Sequence, residues 1–174
     1  MRVLAFCDHF STASSGGAER VAAEVYARLV SEHGVDLTVL SVLGPGHEPV
    51  RVPGARVVAV PGRDLSGLVG AEMLLTPGLG RRARALHDEV APDVLHANGL
   101  HFQGTAVAAR LARRTGTTLV STAHLGDLSG LSPRLRLGGT VWDATLGTYV
   151  VRSSAAIVSV SGAVADHVGS LGAR

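Results

Sequence analysis

The stretch PDVLHANGLHFQGTAVAARLARRTGTTLVSTAH, residues 92–124, reads as strand, helix, strand. Pro92-Asp93 introduces the short run Val94 to Ala97, which reads as a strand with His96 inside it. Gly104 to Arg114 reads as a helix, carrying Arg110, Arg113 and Arg114. Thr118 to Ala123 is then a second strand, ending at His124. Two strands joined by a helix form a parallel pair, because a tight hairpin cannot join parallel neighbours.

The same alternation continues in both directions. Val3 to Cys7, Leu37 to Val42, Arg56 to Val60 and Ala156 to Val160 read as four more strands. Helices are predicted over Ala18 to Val30, Leu79 to Glu89, Gly139 to Arg152 and Ala163 to Leu171, with a further one near Leu65 to Leu75, broken from the next at Pro77-Gly78. Six strands alternating with helices predict an α/β fold: a doubly wound, mostly parallel, Rossmann-like sheet in three layers, α/β/α. No internal repeat, low-complexity tract or linker interrupts residues 1–174, so one domain is expected.

Composition agrees. The chain has 174 residues, 46% hydrophobic and 17% charged, which argues against disorder. The apolar runs are far shorter than the roughly 20 residues of a membrane-spanning helix. All 16 basic residues are arginine, and the net charge of +2 is too small to indicate nucleic acid. Aromatic residues make up 3%, too few for base-stacking platforms. The single cysteine, Cys7, excludes an internal disulfide and fits a reducing compartment. With Met1-Arg2 running straight into the strand Val3 to Cys7 and no leader-like segment before it, a cytoplasmic protein is expected.

In a sheet of this kind ligands bind beyond the carboxyl ends of the strands. The residues there are Asp8-His9-Phe10 and the loop Ser14 to Arg20, then Asn98 to His101, His124 to Asp127, and Ser161-Gly162. The Gly16-Gly17 loop opens a helix, where unpaired N–H groups and the helix dipole favour an anion. It reads either as a phosphate or sugar contact or as a tight turn in which Gly16 caps the helix and Glu19 completes half a capping box. It is neither the G-x-G-x-x-G dinucleotide fingerprint nor a P-loop, and the chain has no lysine for the latter.

His124, at a strand end, suits hydrogen bonding to a hydroxyl or phosphate, or acid–base work near neutral pH. His96, inside a strand, reads as a packing histidine. Asn98, His101 and His9 are loop residues on the cleft side, either functional or solvated. His33, His87 and His167 fall on helices or helix ends and are expected at the surface. Metal binding is not indicated: His96 and His101 are five apart across a strand–loop junction, and no Cys/His or H-E-x-x-H spacing occurs. No G-x-S-x-G elbow supports a serine nucleophile. Arg81, Arg82, Arg84, Arg110, Arg113 and Arg114 are expected on helices, as solvated faces or as a contact for an anionic membrane surface or acidic partner.

Val3 to Asp8, Gly16-Gly17-Ala18-Glu19-Arg20, Asp93 to Asn98, Thr122-Ala123-His124 and Ala156 to Ser161 occur in the order and at a spacing similar to the N-terminal domain of GT-B glycosyltransferases of the GT4 type. The resemblance covers essentially the whole chain. It implies a retaining transferase of a hexosyl type, using a nucleotide-sugar donor and no essential metal or other cofactor. It implies that this half holds the acceptor. Gly16 and Gly17 would border the donor diphosphate, and His124 would lie at the reaction centre. Asn98 and His101 would contribute to the acceptor pocket, with Arg134 and Arg136 facing an anionic acceptor.

The family's second Rossmann domain, with its paired glutamates and its Arg and Lys phosphate ligands, has no counterpart in these 174 residues. The expectation is therefore one domain of a pair, inactive alone, with an apolar surface exposed where its partner would pack and a tendency to dimerise through it. Association with the inner membrane face is a further expectation, and nucleic acid is not an expected partner. Two other readings stand beside it. One is a non-catalytic Rossmann-like module binding a phosphorylated ligand or a partner protein; the other is half of a sugar-nucleotide epimerase.

Overall fold

The computed structural model describes residues 1–12, 17–69, 73–125 and 133–173. Six parallel strands form its sheet: β1 (Arg2–Phe6), β2 (Asp36–Leu43), β3 (Arg56–Pro61), β6 (Val94–Asn98), β7 (Thr118–Ala123) and β8 (Ala156–Ser159). Their spatial order is β3-β2-β1-β6-β7-β8. All five neighbouring pairs are parallel. The expected doubly wound, three-layer fold is the fold observed.

The middle strands follow from their residues. In β1 and β2 every position after the first is buried, which is why those segments read as unbroken apolar runs rather than alternating ones. Successive side chains then serve opposite layers. Leu4 and Phe6 pack with Leu79, Ala83 and Leu86 of helix α3 (Leu79–Val90) and with Ala108, Leu111 and Ala112 of helix α4 (Gln103–Thr115). Val3 and Ala5 face Ala22 and Tyr26 of helix α1 (Gly17–His33). Each fully buried Leu, Val or Phe contributes about 1.5–3 kcal/mol of transfer free energy.

The segment 65–75 departs from the expected helix. Among its described residues only Ser66–Val69 (α2) is helical, and Leu74–Leu75 (β5) pairs antiparallel with Arg63–Asp64 (β4). Local side chain–backbone bonds decide this. Asp64 Oδ1 accepts from the Ser66 amide at 2.8 Å, and Ser66 Oγ accepts from the Met73 amide at 3.1 Å. The amide of Leu65 then bonds the Met73 carbonyl, closing a small ribbon that turns Leu74 into the core.

The helical region after β7 is longer than expected. Helix α5 (Pro133–Trp142) begins on a proline, whose missing N–H costs nothing in a first turn. It passes into a π-helical turn at Asp143–Gly147 and on into α6 (Thr148–Ser153). Helix α7 (Gly162–Ser170) closes the chain, capped by Ser161, whose side chain accepts from the Val164 amide.

Strand order reverses between β1 and β6, where Val3 pairs with Val94 and Phe6 with Ala97. The chain leaves β1 toward α1 on one face and leaves β6 toward α4 on the other. The two departures open a crevice over the carboxyl ends of the central strands.

Candidate functional site

His124 is the first residue beyond β7, and Asn98 is the last of β6. Register places Asn98 opposite Thr122, and the Gly99 amide bonds the Thr122 carbonyl at 2.8 Å, so the two side chains meet above the sheet. His124 Nε2 donates to Asn98 Oδ1 across 2.8 Å, and Asn98 Nδ2 donates to Cys7 Sγ across 3.3 Å. Asn98 is buried at 5% exposure, so its amide is spent on orienting His124 rather than lining open space. Only the Nε2–H tautomer satisfies this bond, which leaves Nδ1 as the acceptor nitrogen of the neutral ring. Partial burial lowers the His124 pKa, opposed by the nearby Glu19 carboxylate.

Gly99 sits at φ 103°, in the region glycine alone occupies cheaply, and a Cβ there would lie 2.7 Å from the Phe102 ring. It turns the chain from β6 so that residues 99–102 form one wall of a hollow of about 340 Å³. Gly17 to Glu19 form a second wall, and His124 and Leu125 a third. A Cβ at Gly17 would meet no protein atom within 4 Å, so packing does not demand a glycine there. Glu19 is buried at 9% exposure. The sequence offers Glu19 only as half a cap; the fold places it beside His124 because the N-terminus of α1 borders the same hollow.

The other expected site residues divide. His101 lines the hollow, and its Nε2 donates to Asp143 Oδ1 at 2.9 Å. Arg136 is exposed on α5 and is not part of the hollow's lining. Gly16 and the side chain of Arg134 lie outside the described residues.

His96 is indeed a packing residue. Its Nδ1 shares a hydrogen bond with Tyr26 Oη at 2.9 Å, and its Nε2 one with Thr122 Oγ1 at 3.0 Å. Burial, assisted by His124, takes its pKa down to about 4, so the ring is neutral at pH 7. Burial likewise pushes the Cys7 thiol well up, making it an inert core group. Asp8, also buried, accepts from the Gly104 amide in the first turn of α4 at 2.9 Å.

Two histidines expected at the surface are not there. The His87 side chain is 14% exposed and its Nε2 bonds Thr117 Oγ1 at 2.9 Å. The His167 side chain is 17% exposed and lies 3.3 Å from Asp143 Oδ2. His101, Asp143 and His167 thus form a cluster that no sequence spacing announced, because three separate elements bring it together. Among the described residues it is the one group with a set of nitrogen and oxygen donors suited to a metal ion.

A separate groove of about 460 Å³ runs between α3 and α4, with Arg81, Arg84, Arg110 and Arg114 above Val107 and Leu111. It holds none of the strand-end groups. The hollow under His124 combines a helix N-terminus, a half-buried imidazole with a fixed tautomer and a buried carboxylate. Such a set suits recognition of an anionic, hydroxyl-bearing ligand.

The family profile described as Glycosyltransferase Family 4 matches residues 15–174. None of the curated proteins searched matches the chain. Among solved structures, the chain is similar to a UDP-GlcNAc 2-epimerase from Methanocaldococcus jannaschii, with TM-score 0.60 and 10% identity over 100% of this chain and 43% of that one. It is also similar to a ugt transferase from Siraitia grosvenorii in complex with UDP, with TM-score 0.55 and 13% identity over 91% of this chain and 44% of that one. At these identities the likeness shows the fold, and the chain spans less than half the length of either structure.

Proposed function

The chain belongs to Glycosyltransferase Family 4, and from that premise we propose that it is the acceptor-side domain of a retaining, nucleotide-sugar-dependent hexosyltransferase. The observation that carries this reading is the His124–Asn98 pair over the hollow, facing the α1 N-terminus. In this reading the donor diphosphate approaches the backbone at Gly16 and Gly17, where helix N–H groups and the positive end of the α1 dipole receive it. The acceptor occupies the space bounded by residues 99–102. His124 stands at the reaction centre, with Asn98 fixing its ring and Nδ1 accepting from a substrate hydroxyl. Asn98 is then a positioning residue for His124.

Glu19 keeps negative charge near His124, which favours a ring able to hold a proton once substrate displaces water. Arg134 and Arg136, on α5, are assigned to an anionic portion of the acceptor. A second domain supplies the positive clamp on the leaving diphosphate, so this chain alone binds ligand and transfers nothing. The transfer needs no metal in this scheme. No described helix is long and apolar enough to cross a membrane. A peripheral contact with an anionic membrane face is assigned to the arginine groove between α3 and α4.

The test is a screen of nucleotide sugars and acceptor classes against the chain, read by amide chemical shifts and by turnover. Shifts confined to the hollow, without turnover, are expected. Turnover by the chain alone, or ligand settling elsewhere, would overturn the assignment.

A further inference from the structure

Three side chains that the proposed transfer does not require for its chemistry meet at one point. His101 comes from the loop after β6, Asp143 from the π-helical turn and His167 from α7. We propose that His101, Asp143 and His167 form a binding site for a borderline divalent cation, zinc(II) foremost, which ties the β6 loop to helix α7. One imidazole nitrogen from each histidine and a carboxylate oxygen all lie within 4.8 Å of one another. Two imidazoles and a carboxylate are a common three-ligand set for zinc, with a fourth position left to water.

Hydrogen bonding alone leaves this cluster incomplete. Asp143 Oδ1 receives the His101 Nε2–H at 2.9 Å. His167 Nε2 lies 3.3 Å from Oδ2, yet it is buried and makes no hydrogen bond among the described residues. A buried imidazole nitrogen without a partner carries a desolvation cost that a bond to a cation removes. The two rings lie nearly parallel, at 26° with centroids 6.5 Å apart, and both turn Nε2 toward the same carboxylate. Metal–nitrogen bonds of about 2.0–2.1 Å in a tetrahedron bring two ligand nitrogens to roughly 3.3 Å, a contraction that side-chain rotation supplies.

The backbone is shaped around the carboxylate. The π turn widens the helix at Asp143–Gly147, a distortion that helices keep mostly where a side chain must be re-aimed. A Cβ at Gly147 would lie 3.1 Å from Asp143 Oδ1, so the glycine leaves the carboxylate room to face the histidines. Because His101 also lines the hollow under His124, an ion here would set the shape of the acceptor wall. The inference does not rest on the transferase reading, since its readout is metal binding.

The experiment titrates zinc chloride into the metal-free chain by calorimetry, with cobalt(II) absorption and long-range 1H–15N spectra of the imidazoles alongside. One equivalent is expected to bind, with the intense visible bands of four-coordinate cobalt. His101 should exchange its Nε2–H for Nδ1–H, while Nε2 of His101 and His167 shift together. Asp143→Asn and His167→Gln should each weaken binding by at least about 100-fold, since losing a ligand costs more than losing a supporting contact. Should either variant fail to fold, the imidazole spectrum of the unsubstituted chain decides. Absence of stoichiometric binding overturns the proposal. So does binding that persists in both variants, or that moves His9, His33 or His47 while leaving His101 and His167 unchanged.

Discussion

The imidazole of His124 is held by Asn98: Nε2 donates to Oδ1 at 2.8 Å, and the same amide reaches back to Cys7 at 3.3 Å. Adjacent strand ends thus lock a half-buried histidine into one tautomer, above a crevice that the strand order creates. Replacing Asn98 with leucine should leave His124 as a mixture of tautomers, visible in long-range 1H–15N spectra. The buried Nε2–H loses its acceptor, so stability should fall by about 1–3 kcal/mol in chemical denaturation. Transfer by an active enzyme containing this chain should fall about 100-fold.

Glu19 acts on the same ring from α1. Its carboxylate raises a pKa that burial lowers. Glu19→Gln should therefore move the His124 pKa further down, measurable by following the imidazole through an NMR pH titration. An unchanged or higher value would mean that the two groups are not coupled.

Gly17 separates packing from binding. A Cβ there meets no protein atom within 4 Å, and the residue begins a helix. Gly17→Ala should leave stability unchanged or raise it by a few tenths of a kcal/mol, about what a compatible Gly→Ala change gives. Under the proposed function the methyl group would stand on the donor-diphosphate side, so affinity for a nucleoside-diphosphate sugar should drop about tenfold. Calorimetry and a denaturant melt on the same sample read both effects.

His96 makes the fold sensitive to acid. Its pKa is near 4 in the folded chain and about 6.5 unfolded, so the unfolded state binds the extra proton between those values. The stabilisation is complete above pH 6.5 and is lost as pH falls toward 4, on the order of 3 kcal/mol in all. Asp8 works in the opposite sense, since burial raises its pKa and protonation relieves the buried charge. Comparing His96→Gln with the unsubstituted chain at pH 7 and pH 5 isolates the histidine. The variant should show the shallower loss.

The sheet is legible in the sequence because its central strands are buried on both faces, so β1 and β2 read as unbroken apolar runs between turn residues. His124 is legible from its position at a strand end. The described residues between Leu65 and Leu75 are not, because Asp64 and Ser66 side chains bind the Ser66 and Met73 amides where apolar periodicity suggested a continuous helix. His167 is equally hidden. It looks like a polar residue on a short terminal helix until α7 packs beside the π turn and buries it against Asp143. Asn98 reads from the sequence as a cleft residue, whereas the fold buries it as the partner of His124, a contact that depends on the β6–β7 register. Contacts set by periodicity can be read from one segment; contacts between distant elements cannot.

The central claim is that the hollow bounded by Gly17–Glu19, residues 99–102 and His124 receives a nucleotide sugar and its acceptor. Titrating nucleotide sugars and candidate acceptors into the isotopically labelled chain tests it most directly. The account predicts saturable shifts at Gly17, Ala18, Gly99, His124 and Leu125, with the donor-side titration moved to about tenfold higher concentration by Gly17→Ala. Shifts at the α3–α4 groove with none at His124, or no saturable shifts with any nucleotide sugar or acceptor, would contradict it.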